Sequence, residues 1–491
     1  MLFNSIEFLA FFPIVTILFF LLPHRFRWFH LLVASCIFYM AAVPIYILIL
    51  FFLIIIDYVA GIMIENSTGK RRKWFLVMSI VANISVLCFF KYCNFFLANY
   101  GDLVRVLHLP LPGWHLLNIV LPIGLSFHTF QAMSYTIEVY RGNQKAERHF
   151  GIYALYVMFY PQLVTGPIER PQNMLHQFHE RHWFDYANAS NGLKLMLWGM
   201  FKKVVIADRL VLLTDPVFLH PGHFHPLTLL VSSFFFLFRV YCDFSGYSDI
   251  ALGTAMVIGF KLMVNFNRPF VSKSLAEFWT RWHISLSSWF RDYLYISLGG
   301  NRVSIPRWYF NIFFVFVISG LWHGANWTFL VWGGLHGFYL VAELMTAPLR
   351  TRIFAATGLD KLPRLKHGLG VVTTFTLVMI SMPFFGGPDI KRALYMFSHF
   401  IFAFTDLRHP VQTFAALWQE IDRTITIKEF ITGLALILFL EIIEAVQSKE
   451  GLAATISSKP PLVRWSFYFI VAFSIIHLGV FENRQFIYFQ F

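Results

Sequence analysis

Residues 308–342, WYFNIFFVFVISGLWHGANWTFLVWGGLHGFYLVA, contain no Lys, Arg, Asp or Glu. A charge-free apolar run longer than about 20 residues is typical of a segment that crosses a bilayer. The whole chain agrees with this interpretation, because 57% of its 491 residues are hydrophobic and only 13% are charged. An average soluble domain has about 25% charged residues and needs that polar cover. The apolar runs are continuous and do not alternate, so the sequence predicts an all-α polytopic membrane protein.

Other apolar runs predict further spans along the chain. A basic run, Lys70-Arg71-Arg72-Lys73, separates two of them and indicates a cytoplasmic loop by the positive-inside rule. Residues 153–170 end in TGPIERP, which predicts a broken or re-entrant helix rather than a lipid-facing one. Residues 346–368 and 401–428 are more polar and are interpreted as long loops. The further spans are expected near residues 45–64, 74–97, 116–140, 227–260, 371–385, 430–444 and 463–480.

The formal net charge of +13 raises the question of an acidic partner. In so apolar a chain, excess Lys and Arg indicate cytoplasmic loops and anionic lipid head groups, so membrane lipids are expected partners and nucleic acid is not. His220, His223 and His225 have the spacing of metal ligands, but they lie in a Pro- and Gly-containing segment without a nearby Cys or carboxylate. No metal site is therefore expected.

His323 is the most informative residue of the charge-free stretch. An ionisable side chain at membrane depth is costly and usually functional, although a histidine hydrogen-bonded within the bundle is the simpler alternative. Gly320 and Gly324 would let another helix approach closely and enclose a pocket beside it. His336 follows 13 residues later, about 220° around a continuous helix. It is therefore expected to face elsewhere and to be structural.

Residues 277–293 carry a second group of polar residues. On a single helix, Arg281 would lie opposite an apolar stripe, with His283 between the two faces, either at the interface or lining a polar cavity. Upstream, Asp243 lies in YCDFSGYSD, where helix capping and ion pairing with nearby arginines are favoured over a Ser-His-Asp triad, since no GxSxG motif occurs. The apolar stripe would comprise Phe278, Trp282, Leu286, Trp289, Tyr293 and Ile296.

Several strings together resemble the membrane-bound O-acyltransferase family, in its alginate O-acetylase branch, which also includes peptidoglycan and cellulose O-acetylation proteins. The resemblance covers nearly the whole chain and is densest over about 116–340. It implies one integral membrane domain over 1–491. The strings are FWTRWHISLSSWFRDYLYISLGGNR (278–302), SGLWHGANWTFLVWGGLHG (319–337), YCDFSGYSD (241–249), NFNRPF (265–270), LPIGLSFHTFQ (121–131), TGPIERP (165–171) and IYFQF (487–491).

The resemblance implies a fold and an activity. The family has about eleven membrane helices, with re-entrant or interfacial segments, around a central funnel. The residues matching its two functional histidines are His323 and His283, both expected to be catalytic. Acetyl-CoA would be a cytoplasmic acetyl donor, with no resident cofactor, and the acetyl group would reach an envelope or secreted polysaccharide such as alginate. On weaker grounds, the substrate pocket would include Asn326, Trp279, Arg281 and Asp243.

The resemblance also implies a place and a partner. The protein would lie in the bacterial inner membrane and work with a periplasmic acetyltransferase of the SGNH type. Alternatives remain open: peptidoglycan, a lipid or a protein as the acceptor, a transporter of an acyl donor or lipid-linked glycan, or a scaffold for envelope enzymes. A neutral imidazole at His323 could act as a general base or carry the acetyl group, and the sequence does not choose.

Overall fold

The computed structural model describes residues 1–41, 43–108, 116–164, 166–406, 408–424, 426–448, 451–481 and 486. All regular structure in these ranges is helical, which confirms the all-α prediction. The string IYFQF and the first residue of TGPIERP lie outside the described residues. Within the described ranges, seven helices are long and apolar enough to cross a membrane: Pro44–Glu65, Gly69–Val106, Pro226–Val257, Ile305–His323, Trp327–Thr357, Pro363–Gly386 and Pro461–Leu478. The count of about eleven stays a prediction.

The α-helices are numbered here in chain order. The first eleven are α1 (Ile6–Leu21), α2 (His24–Met40), α3 (Ile47–Glu65), α4 (Gly69–Leu87), α5 (Cys93–Val106), α6 (Leu125–Arg141), α7 (Phe150–Met158), α8 (Tyr160–Leu163), α9 (Pro171–His179), α10 (Tyr186–Met200) and α11 (Asp208–Leu219). The others are α12 (Pro226–Val257), α13 (Leu275–Arg281), α14 (Ile284–Trp289), α15 (Ile305–His323), α16 (Trp327–Thr357), α17 (Pro363–Gly386), α18 (Ile390–Asp406), α19 (Pro410–Thr424), α20 (Ile427–Val446), α21 (Leu452–Ser457) and α22 (Pro461–Leu478).

The chain forms two compact units. One comprises Met1–Met196 with Ser248–Met263, and the other comprises Leu197–Tyr247 with Val264–Phe491. Both histidines of interest lie in the second unit, which therefore holds the candidate site. The single domain over 1–491 stays a prediction.

In the first unit, a buried carboxylate ties three helices together. Asp57 of α3 is fully buried and accepts hydrogen bonds from Ser79 Oγ at 2.6 Å and from Asn83 Nδ2 at 2.9 Å, both on α4. Ser79 Oγ also lies 3.1 Å from the hydroxyl of Thr136 on α6. These bonds offset the cost of an acidic side chain in an apolar helix, which explains how Asp57 is tolerated.

The irregular segment of the first unit is broken as the prolines predict. Helix α7 ends at Met158, a single turn (α8) follows, and α9 begins at Pro171. Between them the backbone is held by side chains, since the Tyr156 hydroxyl donates to the Glu169 carbonyl at 3.0 Å. Residues 166–171 are thus enclosed by protein, as a non-helical segment among apolar helices requires.

Two predicted loops are wrong. Residues 346–368 contain the end of α16, and residues 401–428 contain the end of α18 and all of α19. Their polar side chains lie on exposed helix faces, while the buried positions of α19 recur every four residues at Thr413, Leu417 and Ile421. An amphipathic helix of this kind has too few apolar residues to be distinguished from a loop by composition. The span expected over 116–140 is also shorter, because helix α6 begins only at Leu125, after Gly124 at φ 75°.

The charge-free stretch folds as two helices that cross closely. Helix α15 ends at His323 because Gly324 is extended, and α16 starts at Trp327. At the crossing Gly320 faces Gly333, and a Cβ on either would lie 3.1 Å from the other's Cα. A Cβ on Gly324 would instead overlap the Phe329 ring of α16 at 2.2 Å. The prediction that Gly320 and Gly324 admit a close helix is confirmed, with α16 as that helix.

The crossing yields a test with adjacent glycines. A Cβ on Gly333 would lie 2.3 Å from the Phe316 carbonyl oxygen, so Gly333→Ala should destabilise the protein by about 1–3 kcal/mol through overpacking. At Gly334 the nearest atom would be 3.9 Å away, so Gly334→Ala should be neutral or stabilising, as Ala favours helix. The thermal unfolding midpoints of the two detergent-purified variants measure these stability changes. Equal midpoints for the two variants would contradict the close crossing.

Candidate active site

His323 lies at the C-terminus of α15, where the helix stops inside the bundle. The side chain is 3% exposed. Its ring packs edge-on against three aromatic rings, with centroid distances of 5.1 Å to Trp322, 5.1 Å to Trp332 and 5.4 Å to Phe385. These three rings form an apolar shell around the imidazole.

Asn326 shapes the break that follows His323. It is the N-cap of α16, and its Oδ1 accepts the Thr328 backbone N–H at 3.1 Å. Its amide nitrogen lies 3.4 Å from the Pro388 carbonyl oxygen. The structure thus gives Asn326 a capping function that a GxN pattern before a helix could have indicated. Its predicted place in a substrate pocket stays a prediction.

His283 occupies a strained turn between α13 and α14. Its φ of 44° and ψ of 54° are left-handed, which costs a residue other than Gly about 1–2 kcal/mol. The single amphipathic helix expected over 277–293 is therefore wrong, since the chain reverses its conformation at this residue. Strained backbone persists only when surrounding contacts hold it, and such residues cluster at functional sites.

Two asparagines hold the turn at His283. The Asn265 backbone carbonyl accepts the Ile284 N–H at 2.9 Å, and its side-chain Oδ1 accepts the Ser285 N–H at 3.2 Å. On the other side of the histidine, the Asn267 N–H donates to the Arg281 carbonyl at 2.9 Å. The sequence reasoning used NFNRPF only as a resemblance and missed Asn265 as a positioning residue. Two Asn flanking a Phe in an apolar region was the available signal.

The two histidines share one aromatic neighbour. His283 is 1% exposed, and its ring lies 4.5 Å from Phe244 and 6.1 Å from Trp322. Trp322 in turn contacts His323, so both imidazoles flank a single indole. Burial lowers the pKa of His283 to about 3, so this ring is neutral at physiological pH. The structure therefore brings together the two residues expected to be catalytic.

A small space of about 10 Å³ adjoins His323. Trp279 and Trp332 line it, and so does His336 of α16, whose Nε2 lies 3.0 Å from the Ser381 hydroxyl. The helical-wheel argument that His336 faces elsewhere is wrong, because His323 and His336 belong to different helices. Its hydrogen bond to Ser381 agrees with the structural role assigned to it.

Arg281 and Asp243 are engaged in ion pairs. Arg281 Nη2 lies 2.7 Å from Glu277 Oε1 one turn earlier in α13. Lys203, which is 1% exposed, lies 2.6 Å from Asp243 and 2.8 Å from Asp208. Ion pairing of Asp243 was the expected role, but the partner is a lysine on a π-helical turn rather than an arginine. For both residues, contact with substrate stays a prediction.

Substitutions at His283 and Thr280 test the strained turn, because the stabilities of the Gly and Ala variants should have opposite orders at the two positions. His283→Gly and His283→Ala both remove the ring, but the left-handed backbone costs Ala about 1 kcal/mol more than Gly. At exposed Thr280 inside α13 the order should reverse, since Ala exceeds Gly by about 1 kcal/mol in a helix. Thermal unfolding of the four purified variants gives both orders. If His283→Ala were more stable than His283→Gly, the left-handed turn would be refuted.

Known proteins are similar to this chain over most of its length. Residues 72–363 match the model of the membrane-bound O-acyltransferase family. A probable alginate O-acetylase of Pseudomonas aeruginosa is 37% identical over 404 residues, covering 81% of this chain and 74% of the relative. A peptidoglycan O-acetyltransferase of Helicobacter pylori is 35% identical over 392 residues, with coverages of 74% and 72%. A teichoic acid D-alanyltransferase of Streptococcus thermophilus is 30% identical over 295 residues, with coverages of 54% and 68%. The chain is an O-acyltransferase, and it belongs to the membrane-bound O-acyltransferase family.

Proposed function

We propose that this O-acyltransferase transfers acetyl groups from acetyl-CoA to hydroxyl groups of an envelope or secreted polysaccharide, with alginate as the first candidate. The similarity to probable alginate O-acetylases supports this acceptor, since several such relatives are 35–37% identical over most of the chain. Peptidoglycan is the second candidate, because the Helicobacter pylori relative has nearly the same identity.

The observation that carries the proposal is the buried His323 within its shell of aromatic rings. A neutral imidazole can take the proton of an acceptor hydroxyl as the oxygen attacks the thioester carbonyl. The new C–O bond forms, the C–S bond breaks, and the departing thiolate takes the proton from the imidazolium. The products are an O-acetyl ester and free CoA thiol. Exclusion of water by the indoles would protect the thioester from hydrolysis.

His283 would act beside His323 on the same reaction. The two rings flank Trp322, and the strained backbone holds the His283 imidazole in one orientation. It would orient the donor or the acceptor through a neutral ring nitrogen. A covalent acetyl-His323 relay is the alternative to base catalysis, and it would leave an acetyl group on the protein when the acceptor is absent.

The proposed location is the bacterial inner membrane, with the donor on the cytoplasmic side. Arg302 and Arg307 flank the start of α15, and both are exposed. By the positive-inside rule this end of the helix faces the cytoplasm, which places the His323 end away from it. The acetyl group would then leave toward the periplasm, where an acetyltransferase of the SGNH type would complete transfer to the polymer.

The proposal predicts a specific loss of esters. His323→Ala and His323→Gln should lower O-acetyl ester content by at least about 100-fold, since general base catalysis contributes about 10²–10⁴-fold. The matched control is His477→Ala, which removes an exposed histidine of α22. Ester content of secreted and envelope glycans is measured at equal protein levels in the membrane.

The outcomes separate the alternatives. Loss of ester from one polymer identifies that polymer as the acceptor. Unchanged ester content in both His323 variants would contradict the catalytic role of His323. A labelled acetyl group that remains on wild-type protein, and not on His323→Gln, would identify the covalent relay.

A further inference from the structure

A cavity of about 400 Å³ lies beside the candidate site in the second unit. It is bounded by α13 and α14 on one side and by α15 and α16 on the other. Its wall is mainly apolar, and among the described residues its charged members are Glu343 and Arg291, whose side chain is 64% exposed. Nothing in the mechanism above uses this volume, which suits an elongated and largely apolar ligand.

The cavity runs along α15 toward His323. Trp308 and Ser319 of this helix both line it, and they are separated by eleven residues, or about 16 Å of helix. Ser319 lies one turn, about 6 Å, before His323. A ligand that enters beside Arg291 would therefore present its far end to the region of His323.

One residue separates this cavity from the small space at His323. Trp279 lines both volumes, and among the described residues it is the one common to their two walls. Its indole packs at 5.1 Å from Phe316 on the cavity side, and at 5.1 Å from His336 and 5.8 Å from Trp332 on the other. Trp332 and Phe385 also border the small space, but neither lines the cavity.

The indole nitrogen of Trp279 indicates which group of a ligand would contact it. Nε1 is buried and has no hydrogen-bond partner among the described residues. A buried donor without an acceptor is costly, and an indole N–H usually finds one. A thioester or amide carbonyl of a bound acyl donor would supply that acceptor.

We propose that Trp279 is the specificity-determining residue that restricts the transferred group to acetyl. This inference rests on the proposed function. The space at His323 is about 10 Å³, about the size that admits one water molecule. An acetyl group would need the smallest displacement of Trp279 to reach the imidazole, and each further methylene would need a larger one. The larger cavity would hold the part of the donor that lies next to the thioester.

Competition between two thioesters tests this role. Membranes from cells that make the acylated polysaccharide receive equal amounts of acetyl-CoA and butyryl-CoA, and mass spectrometry measures the ratio of butyryl to acetyl esters. Trp279→Ala should raise this ratio about 10–200-fold, the range associated with steric discrimination of small alkyl groups. Trp279→Phe, which keeps an aromatic ring, should raise it less.

The matched control is Trp308→Ala. This tryptophan lines the same cavity far from His323 and donates to the Tyr295 hydroxyl at 2.8 Å, so its loss should leave the ratio unchanged. An unchanged ratio in folded Trp279→Ala, or an equal rise in Trp308→Ala, would overturn the assignment. Absence of acetyl ester from wild-type membranes would instead refute the proposed function, and the inference with it.

Ser319→Leu tests the proposal independently, in case the Trp279 variants do not fold. Ser319→Leu leaves the indole in place and fills the cavity one turn from His323. It should lower the rate of acetyl ester formation at limiting acetyl-CoA by at least about tenfold, without changing the ratio of butyryl to acetyl esters. An unchanged rate in membranes containing equal amounts of protein would show that the donor does not use this cavity, which overturns the proposal.

Discussion

The close crossing of α15 and α16 is the constraint on which the candidate site depends. Gly320 and Gly333 let the two backbones touch, and a Cβ on either glycine would overlap a carbonyl oxygen of the other helix. This contact sets Trp332 against His323 and brings His336 to the same small space. Because lipid tails are as apolar as leucine, helices in a membrane gain their association from such packing rather than from exclusion of water.

Buried polar side chains near this crossing are paired with one another or bonded to the backbone. Lys203 lies between Asp208 and Asp243, and loss of one partner from such a buried pair would cost about 3–5 kcal/mol. Asn265 holds the left-handed turn that carries His283. Both groups hold backbone or helices in place around the imidazoles.

The errors at His283 and at His336 share one cause. A helical wheel for 277–293 and another for 308–342 each assumed an unbroken helix, but the chain breaks at His283 and after His323. Hydrophobic periodicity persists across such breaks, since both short helices bury apolar side chains. The left-handed turn at His283 depends on bonds from Asn265, 18 residues earlier, which no local pattern contains. Trp279 was expected in the substrate pocket only through the family resemblance, and only the structure shows that it lines two volumes.

The sequence alone determined the class of the protein, because low charge and long apolar runs leave only a helical membrane bundle. It also singled out His323, since an ionisable group in a charge-free stretch is costly wherever the chain folds. Only the tertiary structure decided which residues surround that histidine. Ring contacts, the strained turn and the partition formed by Trp279 join segments up to about sixty residues apart, and such contacts depend on helix crossings that periodicity does not encode.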